Sequence, residues 1–277
     1  MLMDKIRVLL LGDLVGDTGR AIFQKHIERL RKELKIDAVI VNGENSSSTG
    51  RGITPNIVKF FRSHGVDVIT TGNHIWQRRE IYSYLMEHRD LLRPANFPAE
   101  TPGYGVTTFT CKGYEIGVIN VQGRIFMREN LSCPFRAVES ILTYLKDKAR
   151  IIFVDIHAEA TSEKMGMGFF LDGKVTGVVG THTHIQTADE RVLPGGTAYI
   201  TDLGMAGSLN SMIGMKKEPI LKHFLTQMPE PFTVDTSLPL VMTGVWIEVD
   251  ASTGKALDIQ RIKVVDNDVN LSALPTG

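Results

Sequence analysis

The strongest constraint on this chain is a recurring pairing. A short run of aliphatic, largely β-branched residues is followed by a residue carrying an oxygen or nitrogen donor, usually beside glycine. It occurs at Gly12-Asp13, Gly43-Glu44-Asn45, Gly72-Asn73-His74, Asp155-Ile156-His157 and Gly180-Thr181-His182-Thr183-His184. The runs before them are residues 8–11, 38–41, 68–69, 151–154 and 175–179. In a layered α/β protein, strand C-termini converge on one edge, where ligands bind. Five such ends offering oxygen and nitrogen donors describe a metal site with room for two ions. Metal-assisted hydrolysis is then the leading reaction class.

The segments between these runs support a layered fold. Residues 18–34 carry Ile22, Phe23, Ile27, Leu30 and Leu34 at the helical period. Thr54 and Pro55 mark a helix start, with Ile57, Val58, Phe60 and Phe61 as its apolar face. Residues 67–71 read as a third strand and 79–88 as a helix, so the first 90 residues alternate strand and helix three times. Residues 106–111 and 114–121 flank Lys112-Gly113, a hairpin signal. Residues 137–145 return to a helical period, and 245–249 with 256–265 form a second hairpin. Two sheets face to face, each with helices outside, use all these pieces. The expected architecture is a four-layer α/β/β/α sandwich, a single domain over residues 1–277. Residues 205–235 are less regular and are expected as an ordered surface excursion, serving as a lid or an oligomer contact.

Composition narrows the function. The chain has 277 residues, 43% of them hydrophobic, enough for a sizeable core without disulfides. Lys plus Arg equals Asp plus Glu at 31 each, which argues against a general nucleic-acid binder. Cys111 and Cys133 form no CxxC pair and read as reduced thiols of a cytoplasmic protein. The apolar run 8–11 is too short for a membrane span.

Four of the eight histidines lie in the motifs above. His182-x-His184 puts two rings on one face of a strand, or near a common centre in a loop. His157, taken alone, reads as a structural histidine; beside the other motifs it reads as a ligand. Asp13 suits either a helix cap or a ligand. Glu44 offers a carboxylate able to bridge two cations ~4 Å apart. Asn73 brings a neutral carbonyl oxygen, and His74 beside it can donate a proton. Other chemistries are missing a part. No Gly-Lys-Ser/Thr follows the glycines of residues 12–19, no GxGxxG is present, and His157-Ala158-Glu159 lacks the PCxxC of zinc deaminases. Gly16 and Gly19 still allow backbone N–H groups near a phosphate. The loop 46–52 reads equally as an anion site, through its hydroxyls and Arg51, or as a plain surface loop. Lys164 reads either as a helix-surface charge or as a residue that approaches the site behind His157, and His26, His64, His88 and His223 read as ordinary surface or packing residues.

The order of these blocks resembles the calcineurin-like metallophosphoesterase superfamily, whose motifs run Asp-x-His, Gly-Asp, Gly-Asn-His, His and Gly-His-x-His. The match spans residues 7–185. Three departures stand out. Asp13 is followed by Leu14-Val15 rather than a histidine, Glu44 with Asn45 behind it replaces the bridging aspartate, and the last block reads Gly-Thr-His-Thr-His. With His-Ala-Glu-Ala-Thr-Ser-Glu-Lys from His157 to Lys164, these departures are similar to the bacterial YmdB-type branch over nearly the whole chain. The resemblance implies one metal held by Asp13, Glu44, His184 and Asn45, a second held by Glu44, Asn73, His157 and His182, and His74 as the catalytic histidine. It implies a phosphodiesterase acting on cyclic nucleotides, 2′,3′-cyclic ones in particular, or on RNA-end phosphates, with iron or manganese as the ions and zinc permitted by ligand type. A phosphomonoesterase, or a regulatory module with structural metals, remains open on the same fold. Homo-oligomerisation is the base-rate expectation.

Overall fold

The computed structural model describes residues 4–271 and residue 274. The N-terminal part runs β1 (Lys5–Leu14), α1 (Gly16–Leu34), β2 (Ala38–Asn42), α2 (Pro55–Ser63), β3 (Val68–Thr70) and α3 (Ile81–Glu87). The middle runs β4 (Val106–Cys111), β5 (Tyr114–Gln122), α4 (Pro134–Leu145), β6 (Ile151–His157), α5 (Thr161–Leu171) and β7 (Gly177–Thr181). The remainder adds β8 (Arg191–Val192), β9 (Ala198–Ile200), β10 (Met205–Ser208), α6 (Lys217–Thr226), β11 (Leu240–Asp250) and β12 (Ala256–Asp266). One six-stranded sheet has the order β12-β11-β10-β1-β2-β3, and the other β4-β5-β6-β7-β9-β8.

Strand side chains alternate between two apolar layers, which explains why the runs look continuously hydrophobic. In β1, Leu9 and Leu11 pack with Phe23, Ile27, Ile57 and Phe61 of the outer helices. Val8 and Leu10 point the other way, to Phe153, Val179, Val245 and Ile247 between the sheets. In the second sheet, Val121, Val154 and Ile156 meet Val138, Met167 and Leu171 of α4 and α5. The chain is thus the expected four-layer sandwich. Each such side chain contributes ~1.5–3 kcal/mol on burial.

The two hairpins form as read. Lys112 and Gly113 both adopt left-handed backbone, matching the twist a two-residue β-turn requires. The 205–235 stretch differs at its start. Met205–Ser208 is an inner strand, parallel to β1 and antiparallel to β11, not a surface segment. Its residues, Met-Ala-Gly-Ser, carry no β-branched signal, and the neighbouring strands impose the conformation. The rest of the stretch holds α6 and the loops around it.

β1 pairs in parallel with β2 up to Leu11↔Val41, then shifts to Asp13↔Asn42. At this irregularity the Asp13 N–H donates to the Gly204 carbonyl, 3.1 Å. A side chain at Gly12 would put its Cβ 2.1 Å from that same carbonyl oxygen, so the position requires glycine. The shift sets the Asp13 carboxylate at the sheet edge.

Phe153 sits between the sheets, 1% exposed. Phe153→Ala should cost about 3–5 kcal/mol. Phe126→Ala, at an exposed site, should change stability by less than about 0.5 kcal/mol. Urea unfolding of both variants checks the contrast; similar losses would mean that the inter-sheet layer is not the core.

Candidate metal centre

The expected site residues meet at one edge of the sandwich. The first sheet supplies Asp13 at the end of β1, Glu44 and Asn45 after β2, and Asn73 and His74 after β3. The second supplies His157 at the end of β6, and His182 and His184 after β7. Glu44 faces both contributions. Its Oε1 lies 3.1 Å from His157 Nε2 and 3.2 Å from Asn45 Nδ2. On one side, His157 Nε2 is 3.0 Å from Asn73 Oδ1 and 3.0 Å from His182 Nδ1. On the other, His184 Nε2 is 3.5 Å from Asp13 Oδ1 and 3.1 Å from Asn45 Nδ2. Glu44, His157 and His182 bring one donor atom each within 4.8 Å of one another.

Each imidazole is aimed by its outer nitrogen. His157 Nδ1–H donates to Thr181 Oγ1, 2.9 Å, and that hydroxyl donates to Asp155, 2.7 Å. His184 Nδ1–H donates to the Ile213 carbonyl, 2.8 Å. His182 Nε2 lies 3.2 Å from Glu159 Oε2. Partners of this kind fix ring orientation and leave the inner nitrogen free to ligate. Gly72 is required for the same packing: a Cβ there would lie 2.1 Å from the His157 ring.

The electrostatics favour cations. Burial opposes ionisation of Glu44, but His157 and His74 hold its carboxyl well below the usual range. Burial also opposes ionisation of Asp13, yet His184 beside it keeps the carboxyl low. The reciprocal effect outweighs burial at His184 and lifts it to about 9. Burial and the neighbouring His157 push His182 down to about 3. Two buried carboxylates, an amide oxygen and three aimed imidazoles form a donor set suited to a divalent metal ion.

Some readings of the sequence change. Lys164 is not a surface charge. It is 1% exposed, and its Nζ donates to Asp202 Oδ2 at 2.7 Å. The same oxygen accepts from the Thr183 N–H and hydroxyl, at 3.2 and 2.7 Å. This buried pair grips the middle of His182-Thr183-His184, whose two histidines both have positive φ. The three serine hydroxyls of the loop donate within the protein: Ser46 to the Gly43 carbonyl, Ser47 to that of Arg51, and Ser48 to Asp17 of α1. Gly16 N–H donates to the Asn45 carbonyl and Gly19 N–H to that of Val15, so neither points at a ligand. His223, read as ordinary, lines a cavity of about 690 Å³ with Glu44, His74, His182 and Phe224. Glu159 and Asp202 carried no distinctive signal; only the His157-x-Glu159 spacing drew attention to the first.

A model of the YmdB-like protein family matches residues 9–262. The chain belongs to that family. It is 43% identical over 262 residues to the 2′,3′-cyclic-nucleotide 2′-phosphodiesterase of Bacillus subtilis, covering 95% of this chain and 98% of that one. A crystal structure of a phosphatase from Mycoplasma pneumoniae superposes with TM-score 0.90 at 34% identity, covering 96% of each chain. A crystal structure of a hypothetical protein from Thermus thermophilus superposes with TM-score 0.87 at 37% identity, covering 94% of this chain and all of that one. The YmdB-like branch carries the calcineurin-like metallophosphoesterase fold, and the two-sheet architecture here is that fold. Among the described residues, no helix is long and apolar enough to cross a membrane.

Lys164→Met keeps the apolar stem and removes the charge, leaving Asp202 buried without its cation. The expected loss is about 3–5 kcal/mol, read by urea denaturation, and Asp202→Asn in the same chain should recover part of it. A loss below about 1 kcal/mol would show that Thr183 and the Gly204 N–H, which donates to Asp202 Oδ1 at 2.8 Å, satisfy Asp202 alone.

Proposed function

We propose that this chain is a dinuclear metal-dependent phosphodiesterase acting on cyclic nucleotides, 2′,3′-cyclic nucleoside monophosphates first among them. The observation carrying this reading is Glu44, a buried carboxylate set between two groups of donors. Asp13, Glu44, His184 and Asn45 would hold one ion, and Glu44, Asn73, His157 and His182 the other. The name of the Bacillus subtilis relative supports the 2′,3′-cyclic substrate. Iron or manganese suits the carboxylate-rich set, and zinc fits the same ligand types.

Cations bound there supply Lewis-acid polarisation of phosphoryl oxygens and easier ionisation of water. The protein's part is placement and proton transfer. His74 lines the cavity, and its backbone N–H donates to Glu44 Oε2, 3.1 Å, which holds the residue beside the centre. Its Nδ1 lies 2.7 Å from Asn45 Oδ1. The Asn45 amide nitrogen faces Asp13 and His184. Ligation by Asn45 needs its oxygen there, a half-turn of the amide. In the observed orientation Asn45 Oδ1 accepts from His74 Nδ1–H, and the protonated ring would act as general acid for the leaving oxygen through Nε2–H, leaving a neutral imidazole.

Chelator-free protein should contain two transition-metal ions per chain and turn over 2′,3′-cyclic nucleotides faster than 3′,5′-cyclic ones or monoesters. Preference for monoesters would reject the reading. Glu44→Gln should lose more metal than Asn73→Ala, because both ions lose a negative oxygen; elemental analysis decides, and two ions at unchanged affinity would remove Glu44 from the bridging role. His74→Ala should retain both ions while turnover falls roughly 100- to 10,000-fold. That loss should shrink for an aryl phosphodiester, whose weakly basic leaving oxygen needs no proton. Loss of metal in His74→Ala would make His74 a ligand instead.

A further inference from the structure

The cavity beside the candidate centre has two unlike walls. Glu44, His74 and His182 form one, and residues of the 205–235 stretch form the other: Met212, Met215, Phe224 and Phe232. At about 690 Å³ it lies within the ~300–1,000 Å³ of small-molecule sites. Met215 anchors this wall on Val15, Met205 and Val241, but its two phenylalanines stand outside the sandwich's core. Phe224 is 61% exposed and Phe232 39% exposed, and neither packs in the helix–sheet or inter-sheet clusters. His223 ties the wall together. Its ring centroid lies 6.2 Å from that of Phe224 and 6.0 Å from that of Phe232, and its Nδ1–H donates to the Met228 carbonyl, 2.7 Å. Arg51 adds a guanidinium to the lining.

A ligand bridging these walls has a phosphoryl group at the carboxylate–imidazole edge and a flat apolar part against the phenylalanines. That is the make-up of a nucleotide. We infer that the 205–235 wall is a nucleobase subsite, in which Phe224 and Phe232, with His223 beside them, hold the base of the nucleotide whose phosphate lies at Glu44, His74 and His182. The inference rests on the phosphodiesterase reading for its substrate class. Stacking on exposed rings accepts any base, since every base presents a π face. The subsite therefore selects nucleotides over simpler phosphate esters with little preference among bases. The Met212 and Met215 thioethers give the wall adaptable packing for purines and pyrimidines alike.

The test uses the metal-loaded full chain and calorimetric binding of two probes, 3′-AMP and inorganic phosphate. The wild-type protein should bind 3′-AMP more tightly than phosphate. Phe224→Ala and Phe232→Ala should each weaken 3′-AMP roughly 5- to 150-fold, the worth of one base–aromatic stack. Phosphate affinity should stay within about twofold, and Phe224→Trp should restore 3′-AMP binding. Equal affinity of the wild type for both probes, or equal loss of both in the alanine variants, overturns the subsite. A change of sedimentation in the variants with 3′-AMP affinity unchanged assigns the wall to a second copy of the chain and also overturns it. The broader reading fails separately: wild-type protein that binds 3′-AMP through Phe224 but leaves 2′,3′-cyclic AMP intact retains the subsite and is not the phosphodiesterase.

Discussion

An ionised carboxylate held out of water is costly unless charge and hydrogen bonds surround it. Glu44 is 1% exposed, and the rest of the edge is arranged around it. His157 reaches it from the opposite sheet, the His74 N–H donates to it from the loop after β3, and the Asn45 amide lies against it. Apart from Asn45, these groups come from strands far apart in the chain. They meet only because the two sheets stack with their donor-bearing ends at the same edge. The inter-sheet apolar layer of Val8, Leu10, Phe153 and Val179 therefore holds the charge cluster in register as well as holding the fold together.

A second set of buried polar groups keeps the imidazoles aimed. Asp155, which burial pushes up to about 6, accepts from the hydroxyl that orients His157. Asp202 grips Thr183 between two histidines in left-handed backbone, a conformation that costs about 1–3 kcal/mol for a residue other than glycine. Lys164 neutralises Asp202 from α5. Ile213, also at positive φ, turns its carbonyl to His184. Strain and buried charge concentrate here because the fold spends stability on one geometry of the His182–His184 loop. The carbonyl of Ile213 also links the centre to the 205–235 stretch, so the wall of the cavity and the aim of one imidazole depend on the same segment.

The sequence by itself determined the layered class, most element positions and the donor residues. Buried strands leave an unmistakable run of Val, Ile and Leu, and donors at strand ends must cluster wherever parallel strands lie side by side. The motif order carried the family as well. Other features are set by tertiary contact. Met205–Ser208 has no strand signal of its own and becomes an inner strand because β1 and β11 offer it hydrogen bonds on both sides. Lys164 has the composition of a surface lysine, and only the fold brings Asp202 within 2.7 Å of it. The hydroxyls of residues 46–48 look available in the sequence, yet Ser46 and Ser47 donate to nearby carbonyls and Ser48 to Asp17 of α1. Local chemistry is written in residue type and spacing. Which charges are buried together, and which face of the 205–235 stretch meets the centre, depends on pairs distant in sequence, and those only packing selects.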